Sequence, residues 1–321
     1  MKIIITGAAG FVGAALSHYF IKSTSHELVL VDRSLTEFYS YKNQPRIRLV
    51  EGELQNPLTR INALDANPDV LIHLAALPGG AAEENPVLSK LVNLNATLAL
   101  AEEFSLVSSH RRFVFVSTIA VLGADFSHIA DDHTPLAPTS VYGTHKAMVE
   151  LALADMARRG TLDPISLRLP GIVARPETPS GLKSAFVSNV FHVLKRNEPF
   201  VFPMSGSATT WLMSLGTCIS NVVRASNLAN VELPISRAIT LRAVHCRVAD
   251  LGSEISDYLG VSRELISFDS NPILEAMFGR YPPQVTSVAD QAGFITDFSL
   301  RSLIHSVYSN IKETNKFKLV K

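Results

Sequence analysis

Tyr142 and Lys146 stand four residues apart in the segment VYGTHK, with Thr139 and Ser140 just ahead as alternative helix N-caps. Four-residue spacing puts both side chains on one face of a helix. An ammonium beside a phenol favours the phenolate and draws its pKa from about 10 toward working pH. The tyrosine can then act as general base or acid while the lysine holds cofactor hydroxyls. Tyr-x-x-x-Lys alone is common on surface helices, so its surroundings decide its weight. Here it follows RFVFVST, a strand-like run ending in Ser117 and Thr118. Ligands of open α/β sheets bind at the carboxyl ends of strands, where either hydroxyl could serve.

The other chemical constellation is at the start of the chain, where Thr6-Gly7-Ala8-Ala9-Gly10-Phe11-Val12-Gly13 lies between the apolar run IIIT and a helical pattern. Glycines there allow a tight turn, close approach of backbone to a pyrophosphate, and close packing of helix on strand. The helix N-terminus adds N–H donors and a positive dipole. Three glycines alone are a weak signal, but Asp32 ends the next run, ELVLVD, where a carboxylate can accept both ribose hydroxyls of a dinucleotide. Its charge opposes a 2′-phosphate, which favours NAD. Arg33 could accommodate that phosphate, but a carboxylate buried beside it would be costly.

These residues need a scaffold, and the chain supplies one. IIIT, ELVLVD, IRLVEG, DVLIHLAA, RFVFVST and ISLRLP alternate with helical patterns, among them Pro86–His110 and Tyr142–Gly160. Such runs read as parallel strands covered on both faces, an α/β doubly wound (Rossmann) sheet. Arg158-Arg159-Gly160 marks a helix end. After Pro176 the pattern loosens, with Pro179, Pro199, Pro203 and Pro234 interrupting short segments. The expectation is a nucleotide-binding domain over 1–176 and a smaller substrate-binding lobe over 177–321, with some segments returning to the first.

Composition excludes several functions. The 321 residues carry 29 Lys+Arg against 29 Asp+Glu, leaving no basic footprint for nucleic acid or an acidic membrane. Cys218 and Cys246 are the only cysteines and form no CxxC pair, against a disulfide scaffold or thiolate zinc site, and a reducing, cytoplasmic setting is expected. The N-terminus has the outline of a signal peptide, but its spaced glycines and the strand one helix length later fit the sheet better. No run is apolar enough for a transmembrane span. His128, Asp131, Asp132 and His133 read as a solvated loop rather than a metal site, and no metal is expected.

Taken together, these motifs resemble the extended branch of the short-chain dehydrogenase/reductase superfamily over roughly residues 1–180. Its GxxGxxG is matched by Gly7, Gly10 and Gly13, its HLAA by His73–Ala76 and its NxxxT by Asn93–Thr97. Aligning its SxxxVYG with Thr118–Gly123 makes Thr118 the hydroxyl partner of Tyr142, with Ser117 beside the nicotinamide. The resemblance implies that Ala9, Phe11 and Val12 join the glycines around NAD. It also implies that Glu53 and Leu54 flank adenine, that Leu74, Ala75 and Ala76 line the cofactor, that Asn93 is near it, and that Pro170 begins the segment passing the nicotinamide.

Departures from the family narrow the substrate. Dehydratases of the branch place Asp-Glu after the catalytic Thr, where this chain has Ile119-Ala120; nucleotide-sugar enzymes carry RxxN and a later Arg before an aromatic, where it has Arg168-Leu169-Pro170-Gly171 and Thr209-Thr210-Trp211. A smaller substrate without a nucleotide handle is therefore expected. The whole chain is similar to the sugar-acid dehydrogenases of the superfamily in HLAALPGGAAEENP, RFVFVSTIAVLGA and SLRLPGIVARP. That similarity implies NAD-linked oxidation at C2 of a four-carbon acid such as D-erythronate. A nucleotide-sugar epimerase and a non-catalytic NAD-binding regulator are the alternatives.

Arg175 is the residue best suited to a substrate carboxylate, since a guanidinium can bind it bidentately; Gly79, in the Pro78–Ala81 loop, is the other substrate-side position. Arg168 is as consistent with a structural role as a functional one, and His73 reads as a packed core histidine. The resemblance implies a homodimer through Pro86–His110 and Tyr142–Gly160, with Leu94, Leu98, Leu100, Met148, Leu151 and Leu153 available for the contact, although helices covering a sheet need the same leucines.

Overall fold

The computed structural model describes residues 1–107, 112–124, 126, 128–177, 184–228 and 233–318. The six strand-like runs form β1 (Lys2–Thr6), β2 (Glu27–Asp32), β3 (Ile47–Glu51), β4 (Val70–His73), β5 (Arg112–Thr118) and β6 (Asp163–Leu169). A seventh, β7 (Ala238–Thr240), completes a parallel sheet of order β7-β6-β5-β4-β1-β2-β3. Three residues with no apolar alternation around them leave β7 without a sequence signal.

The helices of this part are α1 (Phe11–Ser23), α2 (Pro57–Leu64), α3 (Gly79–Glu84), α4 (Pro86–Ser89), α5 (Ala96–Val107) and α6 (Val141–Arg158). Burial explains the continuous apolar strands: Ile3, Ile4, Ile5, Val114 and Phe115 are all fully buried. On one face, Leu100 and Phe104 of α5 and Val149 and Leu153 of α6 join Ile4, Leu71, Phe113 and Phe115 in a single core. Leu94, Leu100 and Leu153 are therefore sheet-covering residues, whereas Met148 and Leu151 are exposed. The helix expected over Pro86–His110 is broken by a π-helical stretch, Lys90–Asn95, between α4 and α5; its residues 108–110 lie outside those described, as does Pro179.

β1 is the switch point. The chain adds β2 and β3 on one side of it, then returns to place β4 and β5 on the other. Thr6 is aligned with Val31 of β2 and with His73 of β4, so three carboxyl ends meet at the glycine loop.

The chain divides into two compact units. Met1–Val121, Pro138–Arg168 and Val222–Thr240 form the first, which carries the large sheet; Leu122–Ala137, Leu169–Asn221 and Leu241–Lys321 form the second. The second unit is built on strands Gly171–Val173, Thr209–Ser214 and Val244–Arg247. Its core includes Phe191, Leu212, Leu251, Leu303 and Ile304. Among the described residues, no helix is long and apolar enough to cross a membrane.

Candidate active site

The glycine loop is shaped by contacts that only glycine permits. Gly7 has φ +71°, and a Cβ there would lie 2.6 Å from the Ala75 nitrogen; a Cβ on Gly13 would run into the Gly7 carbonyl. Leu74 N–H donates to Thr6 O at 3.0 Å and Gly10 N–H to Gly7 O at 3.0 Å. The loop and HLAA are thus one closely packed surface, and α1 starts from Gly10 with no side-chain cap in the way of an anion.

Asp32 is half-buried at the end of β2. Its Oδ2 accepts from Ala9 N–H at 2.9 Å and its Oδ1 from Arg33 N–H at 2.7 Å, while the Arg33 side chain is exposed. One carboxylate therefore fixes the loop and stands beside it. Leu54 is buried and Glu53 exposed. Arg60 donates to Leu54 O at 2.6 Å and pairs with Glu103 at 2.8 Å, which anchors that acidic turn.

Ser140 is the N-cap of α6, its hydroxyl accepting from Gly143 N–H at 3.0 Å. A Cβ on Gly143 would strike the Ala120 carbonyl, so the helix start sits directly on the backbone that follows Thr118. Glu83 of α3 accepts from Val141 N–H at 2.6 Å. Gly79, at the start of α3, faces Tyr142: a Cβ there would find only the Tyr142 Cβ, at 4.0 Å. Tyr142 and Thr118 are half-buried.

Lys146 is 2% exposed, donates to Val116 O at 2.8 Å, and has Nζ 4.4 Å from the Phe115 ring centroid and 5.8 Å from that of Tyr142. Burial pulls its ammonium down to about 7, against the attraction of Glu150. Ser117 is buried and donates its hydroxyl to Glu150, so the side chain expected beside the cofactor points into the protein. Arg168 donates to Glu150 at 2.8 Å and 3.1 Å, a structural ion pair. Glu150 has no place in the sequence reading; a charged residue four positions beyond Lys146 on the same face was the available signal.

Asn93 and His73 tie together the segments that flank HLAA. The Asn93 side chain accepts from Leu77 N–H at 2.7 Å and donates to Leu77 O at 2.9 Å, clamping the loop after HLAA. His73 is held between the hydroxyls of Thr6, at 2.7 Å, and Thr97, at 2.9 Å. Burial, and secondarily Lys146, lowers its pKa from 6.5 to about 3. Folded His73 thus stays neutral where an unfolded one is protonated. Its contribution to stability is full above pH 6.5 and falls as pH drops toward 3, by up to about 1.4 kcal/mol per pH unit. Denaturant titrations across that window should show a shallower acid loss for His73→Gln than for wild type, and equal slopes would contradict this.

Pro170 and Arg175 belong to the second unit. Arg175 is half-buried, and its carbonyl accepts from His192 Nε2 at 2.7 Å. Trp211 is buried and donates from Nε1 to Pro282 O at 2.7 Å. Asp131 and Asp132 hold loop backbone, accepting from His133 N–H and Val288 N–H respectively, each at 2.9 Å.

Comparison with known proteins shows the family. Residues 3–212 match the model of the NAD dependent epimerase/dehydratase family. Relatives named D-erythronate dehydrogenase, from Haemophilus influenzae and Cupriavidus necator, are 30% and 29% identical over 95% of this chain and over 98% and 97% of their own. The solved nucleoside-diphosphate-sugar epimerase of Agrobacterium tumefaciens is similar with a TM-score of 0.83 and 26% identity, covering 95% of this chain and 92% of that one. L-threonine dehydrogenase from Phytophthora infestans shares the fold, with a TM-score of 0.82 at 21% identity over 98% and 100% of the two chains. With a match through the whole glycine-loop and Tyr142–Lys146 region and full-length relatives beside it, the chain belongs to the NAD dependent epimerase/dehydratase family, in the extended branch of the short-chain dehydrogenase/reductases, and is an NAD(H)-using oxidoreductase.

Proposed function

We propose that this chain oxidises the C2 hydroxyl of a small sugar acid, with D-erythronate as substrate and 2-oxo-tetronate as product. The observation that carries this reading is the junction of β5 and α6, where a buried Lys146 lies under Tyr142 beside the strand end that bears Thr118. The names of the two full-length relatives favour the acid. Three departures disfavour a nucleotide sugar or an elimination: Ile119-Ala120 after Thr118, Gly171 where RxxN has its Asn, and Thr209-Thr210-Trp211 without an arginine.

The residues present fit a dinucleotide: a Cβ at Gly7 or Gly13 would clash with the backbone of Ala75 or Gly7, so only glycine keeps the tight turn that brings a pyrophosphate to the start of α1, and Asp32 stands at its rim. Backbone around Ala9, Gly10, Phe11 and Val12 would hold the pyrophosphate, Asp32 the adenosine ribose, and Glu53 and Leu54 the adenine. Leu74, Ala75 and Ala76 would line the middle, the Ser117 backbone and Pro170 the nicotinamide, and Tyr142 and Lys146 its ribose. Asn93 acts by fixing the Leu77 loop. When bound, NAD supplies the hydride acceptor for C2. Thr118 orients the substrate hydroxyl, Tyr142 takes its proton, and Lys146 stabilises the phenolate that does so.

Arg175 is assigned to the substrate carboxylate, with the Gly79 loop beside the reacting carbon. Arg175→Ala should raise KM for the acid at least about tenfold, with NAD affinity unchanged, the pattern of a lost ground-state contact. An unchanged KM would move the carboxylate to the backbone of Pro78–Ala81. The function itself is tested by a purified-enzyme screen of four- to six-carbon aldonic acids and nucleotide sugars with NAD and NADP, following the reduced cofactor. Turnover with D-erythronate and NAD is expected; silence with every acid would remove the assignment, and interconversion of a nucleotide sugar would replace it with epimerisation.

A homodimer is also proposed. Met148 and Leu151 on α6, with Val87 on α4 and Leu91 just after it, are exposed apolar side chains in the region expected to form the contact. Light scattering at micromolar concentration should give twice the chain mass; a monomer mass would reject the contact. Cys218 and Cys246 are buried free thiols, in keeping with a reducing, cytoplasmic setting.

A further inference from the structure

Tyr142, Lys146 and Glu150 follow one another at four-residue intervals along α6, so their side chains stack about one turn apart on one face. The proposed reaction uses the first two. Glu150 is as buried as Lys146, at 2% exposure, and a carboxylate does not stay ionised in such a place without partners. It has them on two strands. Ser117 Oγ of β5 donates to its Oε1, and Arg168 of β6 donates to its Oε2 from Nε at 3.1 Å and Nη2 at 2.8 Å. The neighbouring residue on β5, Val116, holds Lys146 through its carbonyl at 2.8 Å. Two adjacent β5 residues thus dock the lysine and the glutamate of α6 separately.

Burial alone favours the neutral form of Lys146, and Glu150 is the charge that opposes this. Arg168 is bonded to Glu150 and reaches Thr240 of β7 at 3.5 Å. His73 of β4 is neutral between two threonines. His145 bonds Ser89 at 2.9 Å and is influenced by Lys90 and Glu83. Lys146 Nζ lies 5.8 Å from the centroid of the Tyr142 ring, close enough for the charge on one group to bear on the ionisation of the other.

We propose that Glu150 is a positioning residue of the reaction: its carboxylate, fixed by Ser117 and Arg168, keeps the proton on Lys146 so that the phenol of Tyr142 is the group that ionises. The inference rests on the reading of Tyr142 and Lys146 as the acid–base pair. In Glu150→Gln the lysine loses its proton first, and a neutral amine no longer stabilises the phenolate. Direct loss of the Glu150 charge acts on Tyr142 in the opposite sense, but from two turns away, where it is weaker than at the lysine one turn away.

The test is an ultraviolet difference titration of the phenolate in the chain without cofactor, each protein measured against the same protein carrying Tyr142→Phe. Wild type should ionise well below an ordinary tyrosine, and Glu150→Gln should move that midpoint up by at least about 1 pH unit, with turnover at neutral pH lowered about tenfold or more. Ser117→Ala removes a docking bond but no charge, so it should leave the midpoint in place whatever it does to rate. If unpaired Arg168 prevents Glu150→Gln from folding, Glu150→Gln/Arg168→Gln leaves no lone buried guanidinium and should still move the midpoint up. A lowered wild-type midpoint that neither Gln variant changes would overturn the role of Glu150 alone. An ordinary wild-type midpoint would overturn the acid–base pair as well. A shift in Ser117→Ala equal to that in Glu150→Gln would reduce Glu150 to packing.

Discussion

Replacing Tyr142 by Phe should lower turnover by about 10²–10⁴-fold while NAD affinity stays near wild type. The ring keeps its half-buried place at the start of α6, where Gly143 rests on the Ala120 backbone and Gly79 lies beside it. What is lost is the transferable proton, together with one hydroxyl contact to the nicotinamide ribose. Lys146→Ala should damage both binding and turnover, because the ammonium is assigned to the nicotinamide ribose as well as to the phenol. It also leaves the Val116 carbonyl without its donor in a buried setting. Fluorescence titration with NAD beside steady-state kinetics separates the two variants. Full turnover in Tyr142→Phe would contradict the catalytic assignment.

Asp32→Ala should weaken NAD by about ten- to a hundredfold and narrow the preference over NADP. Hydrogen bonds to a charged group contribute about 1.5–3 kcal/mol, and the same carboxylate opposes a 2′-phosphate. The variant loses a further contact, since Asp32 Oδ2 also holds the Ala9 N–H of the glycine loop at 2.9 Å. Arg33, exposed beside it, remains to meet a phosphate. Affinities for both cofactors measured on one preparation check this; an unchanged NAD-to-NADP ratio would place Asp32 away from the ribose.

Local signals in the sequence carried far, and pairings between distant segments did not. The six long strands were legible because burial on both faces demands unbroken apolar runs such as Ile3–Ile5. Ser140 and Gly143 mark the start of α6 by local chemistry, and the spacing of Tyr142 and Lys146 puts them on one face whatever the rest of the chain does. β7 and the strand Gly171–Val173 are three residues each, defined by pairing with remote segments and not by pattern. The π-helical turn that aims Asn93 at Leu77 has no periodicity of its own to read. Leu94, Leu100 and Leu153 looked the same in sequence as Leu151, and only the packing of α5 and α6 on the sheet distinguishes core from surface. The ion pair of Arg168 with Glu150, which withdraws that arginine from any substrate, likewise depends on β6 lying beside β5.

C2 of a small sugar acid is expected to give up its hydrogen to NAD while Tyr142 takes the hydroxyl proton. Incubating the enzyme with NAD and D-erythronate deuterated at C2, then analysing the reduced cofactor by mass spectrometry, tests it most directly. Stoichiometric transfer of deuterium to the nicotinamide, with formation of the 2-oxo acid, is expected. Deuterium retained in the acid, or lost to water with no label in the cofactor, would contradict it.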